Sequence, residues 1–234
     1  MMIPIFVLNL ERAEDRKNSM IKQFINLGMK ENKDYFFIPA YDGINITNFS
    51  FNVNIGMGYG AGRKFEKGEI AIIISQLAAI KFAQMLNFEN IIIIEDDVVL
   101  CEDWNKRLET LFSLLPNDWE HVYLSGHSDY VKFNRCEVPT IIPSPKMVGA
   151  FSYMLNKRAY ARISKFCMSF LTTYDDMIMH MIDQNKLNSY AYFPFMSFHD
   201  ANNSFVWDES GKQVGHLTSK DKIHSSYYFF KSKI

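Results

Sequence analysis

The sequence predicts an α/β fold, a sheet flanked by helices, in one large domain. Two stretches carry that prediction. In the first, Ile91-Ile92-Ile93-Ile94 runs straight into Glu95-Asp96-Asp97 and then Val98-Val99-Leu100. A continuous β-branched run reads as a strand covered on both faces, whereas three carboxylates cannot be buried unpaired. They must emerge at the carboxyl edge of the sheet, where open α/β sheets bind ligands. A hard divalent metal carrying phosphate oxygens is the natural cation to meet them there. The plainer reading is a strand that ends in an acidic turn. In the second stretch, an apolar strand from Ile3 to Leu8, a helix, and a strand from Tyr35 to Ile38 begin a βαβ arrangement.

The elements follow in order. After the first strand, Met20, Ile21, Phe24, Ile25 and Leu27 recur at helical spacing, and Gly28 suits the C-cap. Arg12 and Arg16 lie four apart, on one helix face beside the end of the first strand, where a phosphate would sit. A solvated basic face is the alternative. Pro39 breaks the second strand, and Ala40-Tyr41-Asp42-Gly43 turns the chain. An acid at that strand tip can accept hydrogen bonds from a ribose, or simply serve the turn. Residues 44–64 lack periodicity and carry Gly56, Gly58, Gly60 and Gly62. That spacing is not a dinucleotide fingerprint and reads as a mobile loop that covers the site.

Gly68-Glu69 opens the clearest helix, with Ile70, Ile73, Ile74, Leu77, Ile80 and Met85 on one stripe. After the acids, Asp103 can cap a helix that presents Leu108, Leu111, Phe112 and Leu115 and stops at Pro116. His121–Ser125 is a strand, and residues 126–144 suit a hairpin or an insertion on the acceptor side. Val148–Leu155 reads as a strand, with Asn156 capping the next helix. Asp175 and Asp176 open a further helix, as partners of its dipole or as a general base held at its N-terminus. Ser189–Phe193 is the last expected strand; from residue 195 the chain reads as irregular.

The formal net charge of −1 argues against a general nucleic-acid binder. Cys101, Cys136 and Cys167 show neither a disulfide framework nor a zinc pattern, which suits a reducing compartment. The N-terminus lacks the features of a signal peptide, and no run of 18 apolar residues exists. Aromatic residues make up 15% of the chain, which fits either a thick core or sugar-stacking surfaces. Residues 220–234 mix lysines with clustered aromatics, which suits peripheral contact with an anionic membrane, or a segment docked on its own domain.

Several of these pieces together resemble glycosyltransferase family 25. Ile5-Phe6-Val7-Leu8-Asn9-Leu10-Glu11-Arg12 with Arg16 is similar to the family's opening "INLDR…R". Ala40-Tyr41-Asp42-Gly43 resembles its "A-x-D-G", and Gly68-Glu69-Ile70-Ala71 through Ser75-Gln76-Leu77-Ala78-Ala79 its "GEIGCALSH…A" helix. Glu95-Asp96-Asp97 is similar to "LEDD", and Gly149 to Leu155 with the following Asn156-Lys157-Arg158-Ala159 to "G…Y.LS..GA". The likeness runs from about residue 3 to 195. Gln76 stands where the family usually has His, and Glu11 where it usually has Asp.

The resemblance implies a GT-A-like, Rossmann-type mixed sheet flanked by helices. Residues 1–219 would form the catalytic domain and residues 220–234 a basic, aromatic tail. It implies transfer of a hexose, most simply galactose from UDP-galactose, to a saccharide hydroxyl on a lipooligosaccharide or lipopolysaccharide glycolipid. The anomeric carbon would be inverted to give a β linkage, β-1,4 being the expected one. That chemistry suits a divalent metal, Mn²⁺ or Mg²⁺, on the diphosphate. It would place the protein in the bacterial cytoplasm, peripheral on the inner face of the inner membrane. Glu95 and Asp97 are the expected metal ligands, pointing to one side of an extended backbone while Asp96 faces the protein. Asn9, Arg12, Arg16, Asp42 and Gly43 join Glu95, Asp96 and Asp97 as the donor-binding set. Asp175 or Asp176 is the expected catalytic base, with His199 as a further metal ligand or base. Two other readings fit the same acids: a nucleotide-sugar hydrolase, and a non-catalytic nucleotide- or carbohydrate-binding module.

Overall fold

The computed structural model describes residues 3–46, 64–126, 138–143, 145 and 147–199. Most of the expected covering loop (47–63), Cys136 and the tail lie outside the described residues. In chain order the elements are β1 (Ile5–Asn9), α1 (Glu14–Asn26), β2 (Tyr35–Pro39), a short 3₁₀ turn (Gly43–Asn45), α2 (Lys67–Met85), β3 (Asn90–Glu95), β4 (Val98–Leu100), α3 (Trp104–Leu114), β5 (His121–Tyr123), β6 (Thr140–Pro143), β7 (Ser152–Asn156), α4 (Lys157–Cys167), α5 (Tyr174–Asp183), β8 (Ser189–Phe193) and β9 (Ser197–His199). The α/β class expected from the sequence is the one found.

Seven strands form one mixed sheet in the order β2-β1-β3-β7-β5-β8-β6. β1 runs parallel to both β2 and β3, and β5 parallel to β8. β7 is antiparallel to both its neighbours, β3 and β5. The start of β7 therefore meets the end of β3, with Ser152 opposite Ile94. This insertion brings the segment before β7 to the edge where the parallel strands end.

Side chains alternate between two cores. Phe6, Leu8, Ile91, Ile93, Tyr153 and Leu155 face α2, α4 and α5. Ile5, Val7, Ile92, Ile94 and Met154 face the other way, against residues of α1 and α3 such as Met20, Phe24, Trp104 and Leu111. With both faces covered, β3 has no polar side, which is why its sequence reads as a run rather than an alternation. All four isoleucines are fully buried, each stabilising the fold by about 1.5–3 kcal/mol.

α2 is long and apolar enough by composition to cross a bilayer. In the fold it packs on the sheet, and the buried set is Glu69, Ile70, Ala71, Ile73, Ser75, Gln76, Ala79, Ile80 and Ala83. Met85, assigned to the stripe from spacing, is exposed. Gly28 takes φ +73° just past α1, the left-handed conformation that a helix end favours. Asn156 caps α4, its Oδ1 accepting from the Arg158 N–H at 3.0 Å. Asp103 makes no capping bond. Its carboxylate accepts from Arg107 Nε at 2.7 Å instead, because that guanidinium is held in place by the Phe195 carbonyl.

The largest departure concerns the acids. The chain turns at Asp96 and Asp97 instead of staying extended. It then enters β4, which pairs with β9 in a separate two-stranded sheet. β9, in the stretch expected to be irregular, pairs Val98 with His199. On the outer edge of β4 the side chain of Gln23 acts as a strand partner. Its Nε2 donates to the Val98 carbonyl at 3.0 Å and its Oε1 accepts from the Leu100 N–H at 2.7 Å. Replacing Gln23 by Ala removes both bonds and is expected to cost about 1–3 kcal/mol of stability. Urea denaturation of the folded variant measures this, and an unchanged midpoint would refute the brace.

Candidate active site

The carboxyl ends of β1, β2 and β3 open into a cleft of about 640 Å³, closed on one side by the first turn of α2. The chain leaves β1 toward β2 on one side and returns to β3 on the other, so the cleft lies at the switch point of the sheet. Its wall includes Arg12, Arg16, Tyr41, Asp42, Gly43, Lys67, Gly68, Ser75, Glu95, Asp96, Asp97 and His199.

The turn after β2 is bolted to α2. Ser75 Oγ accepts from the Tyr41 N–H at 2.8 Å and donates to the Ala71 carbonyl at 2.7 Å. Asp42 accepts from the Ile44 N–H at 3.2 Å and from Arg12 Nε at 2.5 Å. Burial works against the charge of Asp42, but Arg12 and the Ile44 N–H hold its carboxyl below the usual range. Gly43 is needed for contact: a Cβ there would come within about 3.0 Å of the Lys67 carbonyl carbon and the Gly68 nitrogen.

Arg16, reaching from α1, gathers the acids. Its Nη1 lies 2.7 Å from Asp96 Oδ1 and 3.2 Å from Asp97 Oδ2. Asp96 also accepts from Asn9 Nδ2 at 2.7 Å, and Asn9 donates to the Ala13 carbonyl at 3.2 Å. Burial nevertheless leaves the Asp96 carboxyl above its ordinary value. Asp97 Oδ2 stands 3.4 Å from His199 Nε2. Burial would raise the Asp97 carboxyl, yet His199 and Arg16 hold it low. Among the described residues Asp97 Oδ1, which is buried, has no hydrogen-bond partner. Phe151 stacks on the His199 ring with centroids 4.9 Å apart. Glu95 is pushed well above its usual value by burial and by the charges of Asp97, Asp175 and Asp96.

Asp175 joins this group from the start of α5. Its Oδ2 accepts from the Gly149 N–H at 2.7 Å and its Oδ1 from the Ala150 N–H at 3.3 Å. Burial, and then the charge of Asp176, raises its carboxyl despite those bonds. Asp176, its partner in the sequence reading, turns to Thr172 Oγ1 at 3.1 Å. The structure thus brings Arg12, Arg16, Asp42, Gly43, Glu95, Asp96, Asp97 and His199 to one cleft. Asn9 lies beneath it, and Asp175 stands behind the acids. The expected alternation of Glu95 and Asp97 against Asp96 does not hold, because the backbone turns there: Asp97 shares Arg16 with Asp96 and all three line the cleft.

Ser75, Lys67 and Tyr41 were not singled out from the sequence. The signal for Ser75 was its place on the buried side of an apolar helix, where a hydroxyl needs a partner. Removing Arg16 would leave two nearly buried carboxylates without their cation. Arg16→Ala is expected to destabilise the fold by about 3–5 kcal/mol. Urea titration checks it, and Arg16→Lys should recover only part because it lacks the planar fork.

Residues 2–179 match the family model described as glycosyltransferase family 25 (LPS biosynthesis protein). Procollagen galactosyltransferase 2 of Mus musculus is 25% identical over 147 residues, which span 59% of this chain and 23% of that one. The Homo sapiens protein of the same name is 26% identical over 146 residues, 58% of this chain and 23% of that one. The chain therefore spans under a quarter of the length of these relatives. Among solved structures, a glycosyltransferase involved in the glycosylation of the major capsid of PBCV-1 gives a TM-score of 0.53 at 8% identity, over 87% of this chain and 95% of that one. That is a likeness of fold, and the fold is GT-A-like. With the match running from β1 into α5, the chain belongs to glycosyltransferase family 25.

Proposed function

We propose that this protein transfers galactose from UDP-galactose to a saccharide hydroxyl of a lipooligosaccharide or lipopolysaccharide, with inversion to a β linkage. The observation that carries the reading is the charge layout of the cleft: the carboxylate cluster at the end of β3, ion-paired with Arg16, and Arg12, paired with Asp42, line one cavity with the first turn of α2. A diphosphate with a cation needs both signs at once. The names of the procollagen relatives support galactose, and the family's description supports the acceptor.

The residues present fit a divalent cation. Burial, and then the charges of Asp97, Asp175 and Asp96, raise Glu95, and Asp97 offers a buried oxygen without a partner among the described residues. Asp97 and Glu95 would hold the ion, with His199 beside Asp97. Among the described residues no set of three such side chains is already gathered for a metal. Mn²⁺ or Mg²⁺ is the proposed ion, since oxygen ligands suit a hard divalent cation. When bound, the cation neutralises charge that develops on the departing diphosphate.

The chain's own groups supply the rest. Arg16 and Arg12 orient the phosphates, and Asp42 accepts from the ribose. Asp175 takes the acceptor proton as that oxygen bonds to the anomeric carbon and the bond from carbon to the UDP oxygen breaks. A carboxylate whose pKa is raised by burial holds that proton better than an ordinary aspartate.

With UDP-galactose, Mn²⁺ and a lactosyl- or glucosaminyl-type acceptor, a new saccharide is expected. Free galactose released at the same rate without acceptor would instead mark a hydrolase, and no product a binding module. Asp175→Asn should lower transfer at least about 100-fold while UDP binding persists, whereas Asp97→Asn should lose transfer together with Mn²⁺-dependent UDP binding. The sign of the pH dependence follows from the direction of the Asp175 shift. The base acts unprotonated and its folded pKa lies above 3.8, so transfer falls with decreasing pH through a point above 3.8. An acid limb at or below that value would contradict the assignment.

A further inference from the structure

We infer that Gln76 is a positioning residue, whose buried amide closes a hydrogen-bonded ring around Asp175 and fixes where that carboxylate stands. The inference rests on the reading of Asp175 as the base. Gln76 lies in the middle of α2 and is fully buried against the sheet. An apolar residue would fill the space, so the amide needs a reason to be there.

The ring can be followed atom by atom. Asp175 accepts from the N–H groups of Gly149 and Ala150. The Ala150 carbonyl accepts from Gln76 Nε2 at 3.4 Å. Gln76 Oε1 accepts from the Tyr153 hydroxyl at 2.6 Å. The Tyr153 and Tyr174 hydroxyls are 2.9 Å apart, and Tyr174 is bonded through the chain to Asp175. A carbonyl only accepts, so the amide nitrogen must face Ala150 and the amide oxygen Tyr153. Tyr153 then spends its one proton on Gln76, and Tyr174 must donate to Tyr153. Each direction follows from the one before it.

The ring links α2, β7 with the segment before it, and α5, which are distant from one another in sequence. Gly149 holds φ +96°, which turns two successive N–H groups onto one carboxylate, an arrangement suited to an anion. A side chain there would collide with the Phe151 ring. Gln76 is the point at which that short segment is gripped from the helix side. Tyr153 and Tyr174 are themselves buried, and burial pushes both hydroxyls well above their usual range, so they serve as neutral links.

The test compares variants that keep the volume of Gln76 and change its bonding. Gln76→Met should fold and bind UDP as wild type, with the donor KM within about twofold and kcat lower by roughly ten- to a hundredfold. Gln76→His, which offers one donor and one acceptor, should recover most of kcat. Tyr153→Phe should lower kcat without moving KM, and the double variant should be no worse than the poorer single one, because both cut one ring. Should Gln76→Met fail to fold, Tyr153→Phe alone reads the ring. A normal kcat in folded Gln76→Met or Tyr153→Phe, while Asp175→Asn is inactive, overturns the positioning role and leaves the base in place. Full transfer by Asp175→Asn overturns the base and the ring's purpose together.

Discussion

Glu95, Asp96 and Asp97 follow four isoleucines that are buried on both faces of the sheet. Their charge has to be met within about one residue of a hydrophobic core, where an uncompensated carboxylate is expensive. Arg16 meets it from the first turn of α1, and Asn9 adds a donor from the end of β1. The close packing of β1 and β3, the angle at which α1 leaves the sheet, and the turn that carries the chain into β4 all have to satisfy this one cluster. It links the core and the chemistry: the guanidinium that lets the strand end there also faces the cleft.

Insertion of an antiparallel strand gives the site its second half. Were β7 parallel to β3, its beginning would lie at the far edge of the sheet. Running the other way, it delivers Gly149 and Ala150 beside Glu95, and the helix that starts with Tyr174 closes on them. The cleft-lining groups come mostly from the parallel half, β2-β1-β3, and Asp175 from what packs behind β7. A mixed sheet is thus what allows acids distant in sequence to reach one another.

Much of this was legible in the sequence, where the signal was local. Four isoleucines announced a strand with two covered faces, Arg16 a helix start near a strand end, and Asn156 a cap, whereas Arg12, expected on the same helix face, lies in the turn before α1. What the sequence left open depended on distant partners. β9 is three residues long and exists because β4 lies opposite it. Asp175 and Asp176 are adjacent and chemically alike, and only the arrival of Gly149 and Ala150 separates them. The alternation expected along residues 95–97 failed because Asp96 is drawn to Asn9 and Arg16, and the backbone bends to allow it. Gln76 read as a departure within a helix motif; its bonds lie 74 and 77 residues away in the chain.

The Gln23 side chain on the edge of β4 bears on dynamics. A ribbon of two three-residue strands is marginal by itself, and this one carries Asp97 at one end and His199 opposite. Among the described residues its outer edge is bonded by one amide from α1. Carboxylate and imidazole therefore belong to a single unit of local stability, separate from the seven-stranded sheet. Amide protons of the ribbon are expected to exchange at lower protection than those of β3. Opening of the ribbon would shift Asp97 and His199 relative to Glu95, which is anchored in β3.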